Sequence, residues 1–297
     1  MEPDTLPTTH LFAGKYKIVK KIGRGSYASV YMGIDKCTRE KVAIKLESIE
    51  KTETTLQHEG VIYTNLENSD KVPKILYFGQ EHGYNLIVMD LLGPSLRKLH
   101  YISTKFSLST VLQLANQILV ILENIHNHSI IHRDLKPDNF LIGRGDNSKN
   151  IYIIDFGLAI KYNNTELDSG EHHFVGNAYF ASCNAHENCQ SAPRDDLESL
   201  GYILVYFLHG TLPWCSIDAK SFHERVTKAG EIKLSTTIEE LCDGLPEEFS
   251  TYLKYCRGLK LTDVPNYEYV RQLFDQVARR MNVSYDNVFD WTKQKQS

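Results

Sequence analysis

The stretch His132-Arg133-Asp134-Leu135-Lys136-Pro137-Asp138-Asn139 gathers a histidine, two cations, two carboxylates and an amide within eight residues. Twenty-one positions after Asp134 stands Asp155-Phe156-Gly157, directly behind the apolar run Ile151-Tyr152-Ile153-Ile154. An apolar run of that length reads as a short buried strand, so Asp155 is delivered by the end of a strand. This is the strongest chemical signal in the chain, and the sequence on either side decides what fold carries it.

Toward the amino terminus, the first ninety residues alternate apolar and polar positions, the period of a strand. Val30, Met32 and Ile34 share one face of such a strand, and Val42, Ile44 and Leu46 share one face of the next. Between strand-like runs lies Gly23-Arg24-Gly25-Ser26-Tyr27-Ala28-Ser29-Val30. A glycine-rich turn lets backbone N–H groups approach phosphate oxygens without a side chain in the way, although any tight turn also favours glycine. No βαβ unit follows, which excludes a dinucleotide fingerprint. In Val42-Ala43-Ile44-Lys45, Ala43 and Lys45 point away from the Val42/Ile44 face. A helix is expected near 55–66, with Leu56, Ile62 and Leu66 on its inner stripe and Glu59 within that stripe. A buried carboxylate needs a cation, and Lys45 is the candidate.

Toward the carboxyl terminus the texture changes after Gly93-Pro94. Val111, Leu114, Ile118, Ile121 and Ile125 recur every three or four residues, giving an amphipathic helix with Ser109 as its expected cap. Leu197–Leu208 is apolar nearly all round, a helix for the centre of its lobe, stopped by Gly210. A small strand-rich part therefore precedes a larger helical one, with the boundary near 90–94.

These segments together resemble the signature of protein kinases. The resemblance implies a two-lobed α+β fold with ATP between the lobes. Phosphoryl transfer needs a carboxylate for the attacking hydroxyl, oxygen ligands for Mg2+, and a cation for the transferring group. The corresponding residues are Asp134, then Asn139 with Asp155, then Lys136, while Lys45 with Glu59 holds the phosphates. Lysine at Lys136 resembles serine/threonine enzymes rather than tyrosine enzymes.

Further along, the chain is similar to the casein kinase 1 family. The usual Ala-Pro-Glu is missing; the nearest tripeptide, Ala192-Pro193-Arg194, abuts the buried helix, expected to start near Asp196. Ala181-Ser182-Cys183-Asn184 and Arg194-Asp195-Asp196-Leu197-Glu198-Ser199-Leu200-Gly201-Tyr202 resemble that family's segments, as do Met89-Asp90-Leu91-Leu92-Gly93-Pro94-Ser95-Leu96, Leu212-Pro213-Trp214, Pro265-Asn266-Tyr267 with Arg271-Gln272-Leu273-Phe274, and Phe289-Asp290-Trp291. The resemblance spans about 12–292. It implies an N-terminal extension over 1–11, a kinase domain over 12–297 (N-lobe about 12–89, hinge 90–94, C-lobe 95–297), and activity without loop phosphorylation. It also implies a nucleotide site of Gly23, Gly25 and Ser26 in the phosphate loop, Met89 as gatekeeper, the Asp90 carbonyl and Leu92 amide at adenine, and Ile22, Val30, Ala43, Leu141 and Ile154 around the base.

Four departures stand out. Ala28 replaces the third glycine of the phosphate loop. Gly176-Asn177-Ala178-Tyr179-Phe180 has Tyr179 where the family has an anion-binding arginine, and Phe222 falls at a second basic position of that anion site. The loop from Asp155 to Gly176 is short, and from Tyr162 to Pro193 there is no Lys or Arg but four acids, Glu166, Asp168, Glu171 and Glu187. A solvated acidic loop is one reading of that stretch, and a surface facing the substrate is the other.

Composition sets the remaining bounds. The 297 residues are 42% apolar and 24% charged with a formal charge of -4, which speaks against nucleic-acid binding through a broad positive field. The six cysteines form no CxxC pair and read as reduced thiols. The opening MEPDTLPTTH is polar and acidic rather than a signal peptide, and the apolar run Tyr202–Leu208 is too short to span a bilayer. The expectation is a monomeric enzyme of the cytoplasm and/or nucleus, acting on protein Ser/Thr acceptors and engaging neither nucleic acid nor membrane. Two rivals stay open: a kinase of small molecules, and a catalytically weak pseudokinase scaffold, for which Ala28 is the only support.

Overall fold

A computed structural model describes residues 10–25, 28–50, 54–67, 69–163 and 170–293. Ser26, Thr165, Glu166, Asp168, Ser169 and most of the expected N-terminal extension lie outside the described residues. The N-terminal part is built on strands β1 (Leu11–Phe12), β2 (Tyr16–Arg24), β3 (Ser29–Asp35), β4 (Lys41–Ser48), β5 (Ile75–Glu81) and β6 (Tyr84–Asp90), with helix α1 (Leu56–Asn65) between β4 and β5. They form one antiparallel sheet in the order β1-β2-β3-β4-β6-β5.

Register explains the alternation in the sequence. Val30 pairs with Lys45 and Lys45 with Ile87, while Met32 pairs with Ala43 and Ala43 with Met89. Cross-strand partners share a face, so Val30, Met32, Ala43, Lys45, Ile87 and Met89 look one way. The opposite face, Val42, Ile44, Leu46, Leu86 and Val88, closes with Phe12 and Tyr16 into a separate small core. The cation is thus aimed away from the lobe's own apolar core and toward the rest of the molecule.

The C-terminal part holds helices α2 (Leu96–Ser103), α3 (Leu108–Asn127), α4 (Cys183–His186), α5 (Pro193–His209), α6 (Phe222–Ser235), α7 (Ile238–Leu241), α8 (Glu247–Gly258), α9 (Tyr267–Arg280) and α10 (Asp290–Lys293). Two small ribbons accompany them, β7 (Ile130–Ile131) with β10 (Ile160–Lys161) and β8 (Phe140–Ile142) with β9 (Ile151–Ile153). The two-lobed α+β fold expected from the sequence is the one present. Helix α3 packs against α5 and α9, and α5 against α8. By length and composition α3 could cross a membrane, but its apolar side is sunk in this core.

Two helix starts differ from the expectation. Helix α3 is capped by Ser107, whose hydroxyl accepts from Thr110 N at 3.3 Å. Ser109 lies inside the first turn, because Leu108 already belongs to the helix. Helix α5 starts at Pro193 rather than near Asp196, proline at a first position having no N–H to leave unpaired. Its end follows the sequence, with Gly210 left-handed at φ 83°.

Candidate active site

Lys45 is the meeting point of the two lobes. Its Nζ donates to Glu59 Oε2 at 2.6 Å and to Asp155 Oδ1 at 2.8 Å. Glu59, at 1% exposure, is buried within the α1 stripe, whereas Asp155 is partly open. Burial alone would discharge Lys45, but the two carboxylates outweigh it and hold the amine above its ordinary value. Burial raises the Glu59 carboxyl to about 7 against the pull of Lys45. For Asp155 the balance reverses: burial acts upward, Lys45 acts downward, and the net shift is down.

The second cluster lies in the loop between β7 and β8. Lys136 Nζ donates to Asp134 Oδ2 at 2.5 Å. Asn139 Nδ2 donates to Asp134 O at 2.9 Å and lies 3.4 Å from Asp134 Oδ2. The nitrogen of Asn139 is committed to Asp134, so its amide oxygen is the atom left for a cation. Burial lifts the Asp134 carboxyl, with Lys136 pulling the other way, which makes it a better proton acceptor than an exposed aspartate.

Arg133 and Asp155 both sit at positive φ, 64° and 70°, a conformation that residues with a Cβ hold only when their surroundings impose it. At Arg133 the surroundings are Asp196, a residue quoted in the sequence reading without a role. Buried at the start of α5, Asp196 accepts from His132 N at 2.8 Å and Arg133 N at 3.0 Å. It also accepts from His126 Nε2 at 2.9 Å, and His126 is in turn held by Tyr267 Oη. Burial acts upward on this carboxyl, and the His126 bond leaves it net lowered. His132 donates from Nε2 to Ile154 O at 3.1 Å, Phe156 packs between His132 and Tyr63, and Tyr63 Oη accepts from Asp155 N at 3.1 Å. A continuous buried column therefore runs from α5 through the Asp134 loop and Phe156 to α1.

The expected base pocket is partly assembled. Ala43 and Met89 are registered neighbours, buried in one cluster against which Val30 packs. Leu141 is bridged to Ser95, and Gly93 N donates to Ile142 O at 2.8 Å. Ile154 and Leu92 are half-buried, Asp90 closes β6, and Ile22 is exposed on β2. Gly23 pairs with Val30, and Gly25 N donates to Ala28 O at 2.8 Å.

The segment after Gly176 is anchored from two sides. At Gly176 φ is +103°, and a Cβ there would stand 2.3 Å from Arg133 O, so only glycine lets the segment lie on the Asp134 loop. Trp214 Nε1 donates to Tyr179 O at 2.6 Å. Beneath it is Lys233, which the sequence reading missed. It is fully buried, its Nζ donates to Ala181 O and to Ala178 O (3.4 Å), and it lies over the Tyr202 and Trp214 rings at 4.8 and 5.0 Å. Burial pushes its amine down to about 7. The spacing Val226, Ala229, Lys233 puts it on the inner stripe of α6, the same signal that singled out Glu59. Phe222 is exposed, with its ring 6.2 Å from that of Phe174. Nearby Lys228 is engaged by Glu224 at 2.7 Å.

A lysine bridged to carboxylates from both lobes thus accompanies a second lysine–aspartate pair and an amide. The protein kinase domain, as a family, matches residues 16–261. The chain belongs to the protein kinase family, whose members use ATP, usually with Mg2+, to phosphorylate proteins.

Proposed function

We propose that this chain is a catalytically competent serine/threonine protein kinase resembling casein kinase 1. The observation that carries competence is Lys45 bridging Glu59 and Asp155 at 2.6 and 2.8 Å, the arrangement that phosphoryl transfer needs and that a decayed scaffold has no reason to keep. The donor set fits the cofactor: the Asp155 carboxylate and the Asn139 amide oxygen are hard ligands suited to Mg2+, and Lys45 offers its charge to the α- and β-phosphates. Bound Mg-ATP supplies the transferable phosphoryl group and the cation that screens it. Asp134 orients the acceptor hydroxyl and takes its proton, and Lys136 offsets charge beside it.

Ser/Thr preference rests on Lys136 and on the resemblance of the segments from Ala181 to Trp291. The same reading keeps the expectations of a monomer of the cytoplasm and/or nucleus that needs no loop phosphorylation. A peptide array of Ser, Thr and Tyr acceptors in primed, acidic and basic contexts, developed with Mg-ATP, tests it. Label on Ser and Thr peptides supports the proposal. Label on Tyr peptides alone, or none on any peptide while a small-molecule acceptor is phosphorylated, overturns it.

A further inference from the structure

Helix α1 carries Glu59, yet little in its own sequence holds it in place. Its ten residues, LQHEGVIYTN, include a glycine and three β-branched residues, and a helix this short is marginal by itself. Thr55 precedes it at φ -102°, ψ -21°, and makes no capping bond with its side chain, so the first amides of the helix need acceptors from elsewhere.

Glu47 supplies them. Its Oε1 accepts from Thr55 N at 2.9 Å and Thr55 Oγ1 at 3.2 Å, and its Oε2 from Leu56 N at 3.1 Å and Asn85 Nδ2 at 3.3 Å. Glu47 is 1% exposed and, among the described residues, forms no ion pair. Its carboxylate is balanced by those donors at the positive end of the α1 dipole. Asn85, also 1% exposed, is fixed in turn by Gln57 Nε2 and Gln80 Nε2, each 3.2 Å from its Oδ1.

The position of Glu47 gives this cap its consequence. Glu47 lies two residues beyond Lys45 on β4, so both side chains project from the same face. One grips the start of α1, and the other grips Glu59 one turn further on. The opposite edge of α1 rests on the chain after Asp155: His58 Nε2 donates to Ala159 O at 2.6 Å, and a Cβ on Gly157 would lie 3.6 Å from Thr55 Oγ1. We infer that Glu47 is a positioning residue, which docks α1 on β4 and thereby sets the register of Glu59 against Lys45 and of the chain behind Asp155. This inference rests on the phosphoryl-transfer reading for its activity arm but not for its structural arm.

The test uses Glu47→Ala, the near-isosteric Glu47→Gln, Glu59→Gln, and Glu47→Ala with Glu59→Gln. Hydrogen exchange of the amides at 55–59 should quicken by about two- to thirtyfold in Glu47→Ala, the range for losing a helix cap. Its kcat/KM should fall by a similar factor, and Glu47→Gln, which keeps one acceptor oxygen, should recover most of both. In the Glu59→Gln background the alanine change should cost less than about twofold in activity, since the residue it positions is already disabled. Unchanged exchange in Glu47→Ala overturns the inference, as does full activity, or a loss that multiplies with that of Glu59→Gln. Should the wild type transfer no phosphoryl group, the exchange measurement alone decides about α1. If the alanine variant does not fold, Glu47→Gln must still show a partial effect in exchange, and none would overturn the inference.

Discussion

Removing the charge of Glu59 isolates what the buried pair contributes. In Glu59→Gln, Lys45 keeps Asp155 at 2.8 Å, and its 2.6 Å bond to a carboxylate becomes a bond to a neutral amide oxygen. A hydrogen bond to a charged group is worth about 1.5–3 kcal/mol against about 1 for a neutral one, and Asp155, being partly open, is too weak a tether to make up the difference. At about 1.4 kcal/mol per factor of ten, kcat should drop by roughly two- to thirtyfold. Lys45→Met is harsher. It leaves Glu59 buried without its cation, a situation that costs about 3–5 kcal/mol when one partner of a buried pair is removed, and on the proposed function it strips the α- and β-phosphates of their lysine. Turnover should fall below about one per cent of wild type. Because the two residues act as one unit, the double variant should match Lys45→Met within about twofold.

The same pair has a pH signature. Burial raises the Glu59 carboxyl to about 7, so the pair is complete above that pH and weakens as the carboxyl takes up a proton below it. Wild-type kcat should therefore fall toward the Glu59→Gln value as pH drops from 8 to 6, while Glu59→Gln itself lacks this limb. Steady-state kinetics at saturating ATP, with thermal unfolding to show that each variant is folded, measure both effects. Losses that multiply in the double variant, or a Glu59→Gln enzyme within twofold of wild type, would refute the reasoning.

Other outcomes follow from the same structure. Lys233 has a folded-state value near 7 against an ordinary 10.5, so between those pH values the unfolded chain holds a proton that the folded chain lacks. Stability must then rise with pH in that window, by up to about 1.4 kcal/mol per pH unit; the melting-temperature difference between wild type and Lys233→Met should shift in favour of wild type from pH 7 to 9, and a constant difference would contradict the burial of this amine. Replacing Thr165 and Ser169 together by alanine should leave activity within about twofold, and a collapse would mean that Arg133 pairs with a phosphate on that loop. With Tyr179 and Phe222 in place of cations, a peptide phosphorylated three residues before its target serine should gain less than about tenfold in kcat/KM over its unphosphorylated twin at pH 7.5, because a neutral hydrogen bond is worth about 1 kcal/mol. Tyr179→Arg should create such a gain, and a large gain in the wild type would contradict the loss of priming.

Much of this site is readable in the sequence because its chemistry is local. Asp134, Lys136 and Asn139 fall within six residues, and their contacts are made within one loop. The pairing of Lys45 with Glu59 is legible for a different reason: a carboxylate on an apolar helix stripe announces that a cation must meet it. Asp196 and Lys233 escape because most of their partners are backbone atoms far along the chain, the amides of His132 and Arg133 and the carbonyls of Ala178 and Ala181. Side-chain identity cannot reveal which distant backbone group a buried charge will serve. Glu47 is hidden for a related reason, since backbone amides, those of Thr55 and Leu56, are among its partners. The cap of α3 is Ser107 rather than Ser109: two serines flank Leu108, and Asp290, far along the chain, accepts from Ser107 N and Oγ at 2.7 Å each.

The central claim, that Asp134 serves phosphoryl transfer to a protein hydroxyl, is tested most directly by comparing wild type with Asp134→Asn in a labelled-ATP transfer assay followed by phosphoamino-acid analysis. Wild type should yield phosphoserine or phosphothreonine, and the variant should lose roughly 10² to 10⁴ in kcat, the size of a general-base effect, with its ATP affinity nearly unchanged. A variant that keeps more than about half of wild-type kcat, against that expected general-base loss, would contradict the account, as would a wild type whose only product is phosphotyrosine.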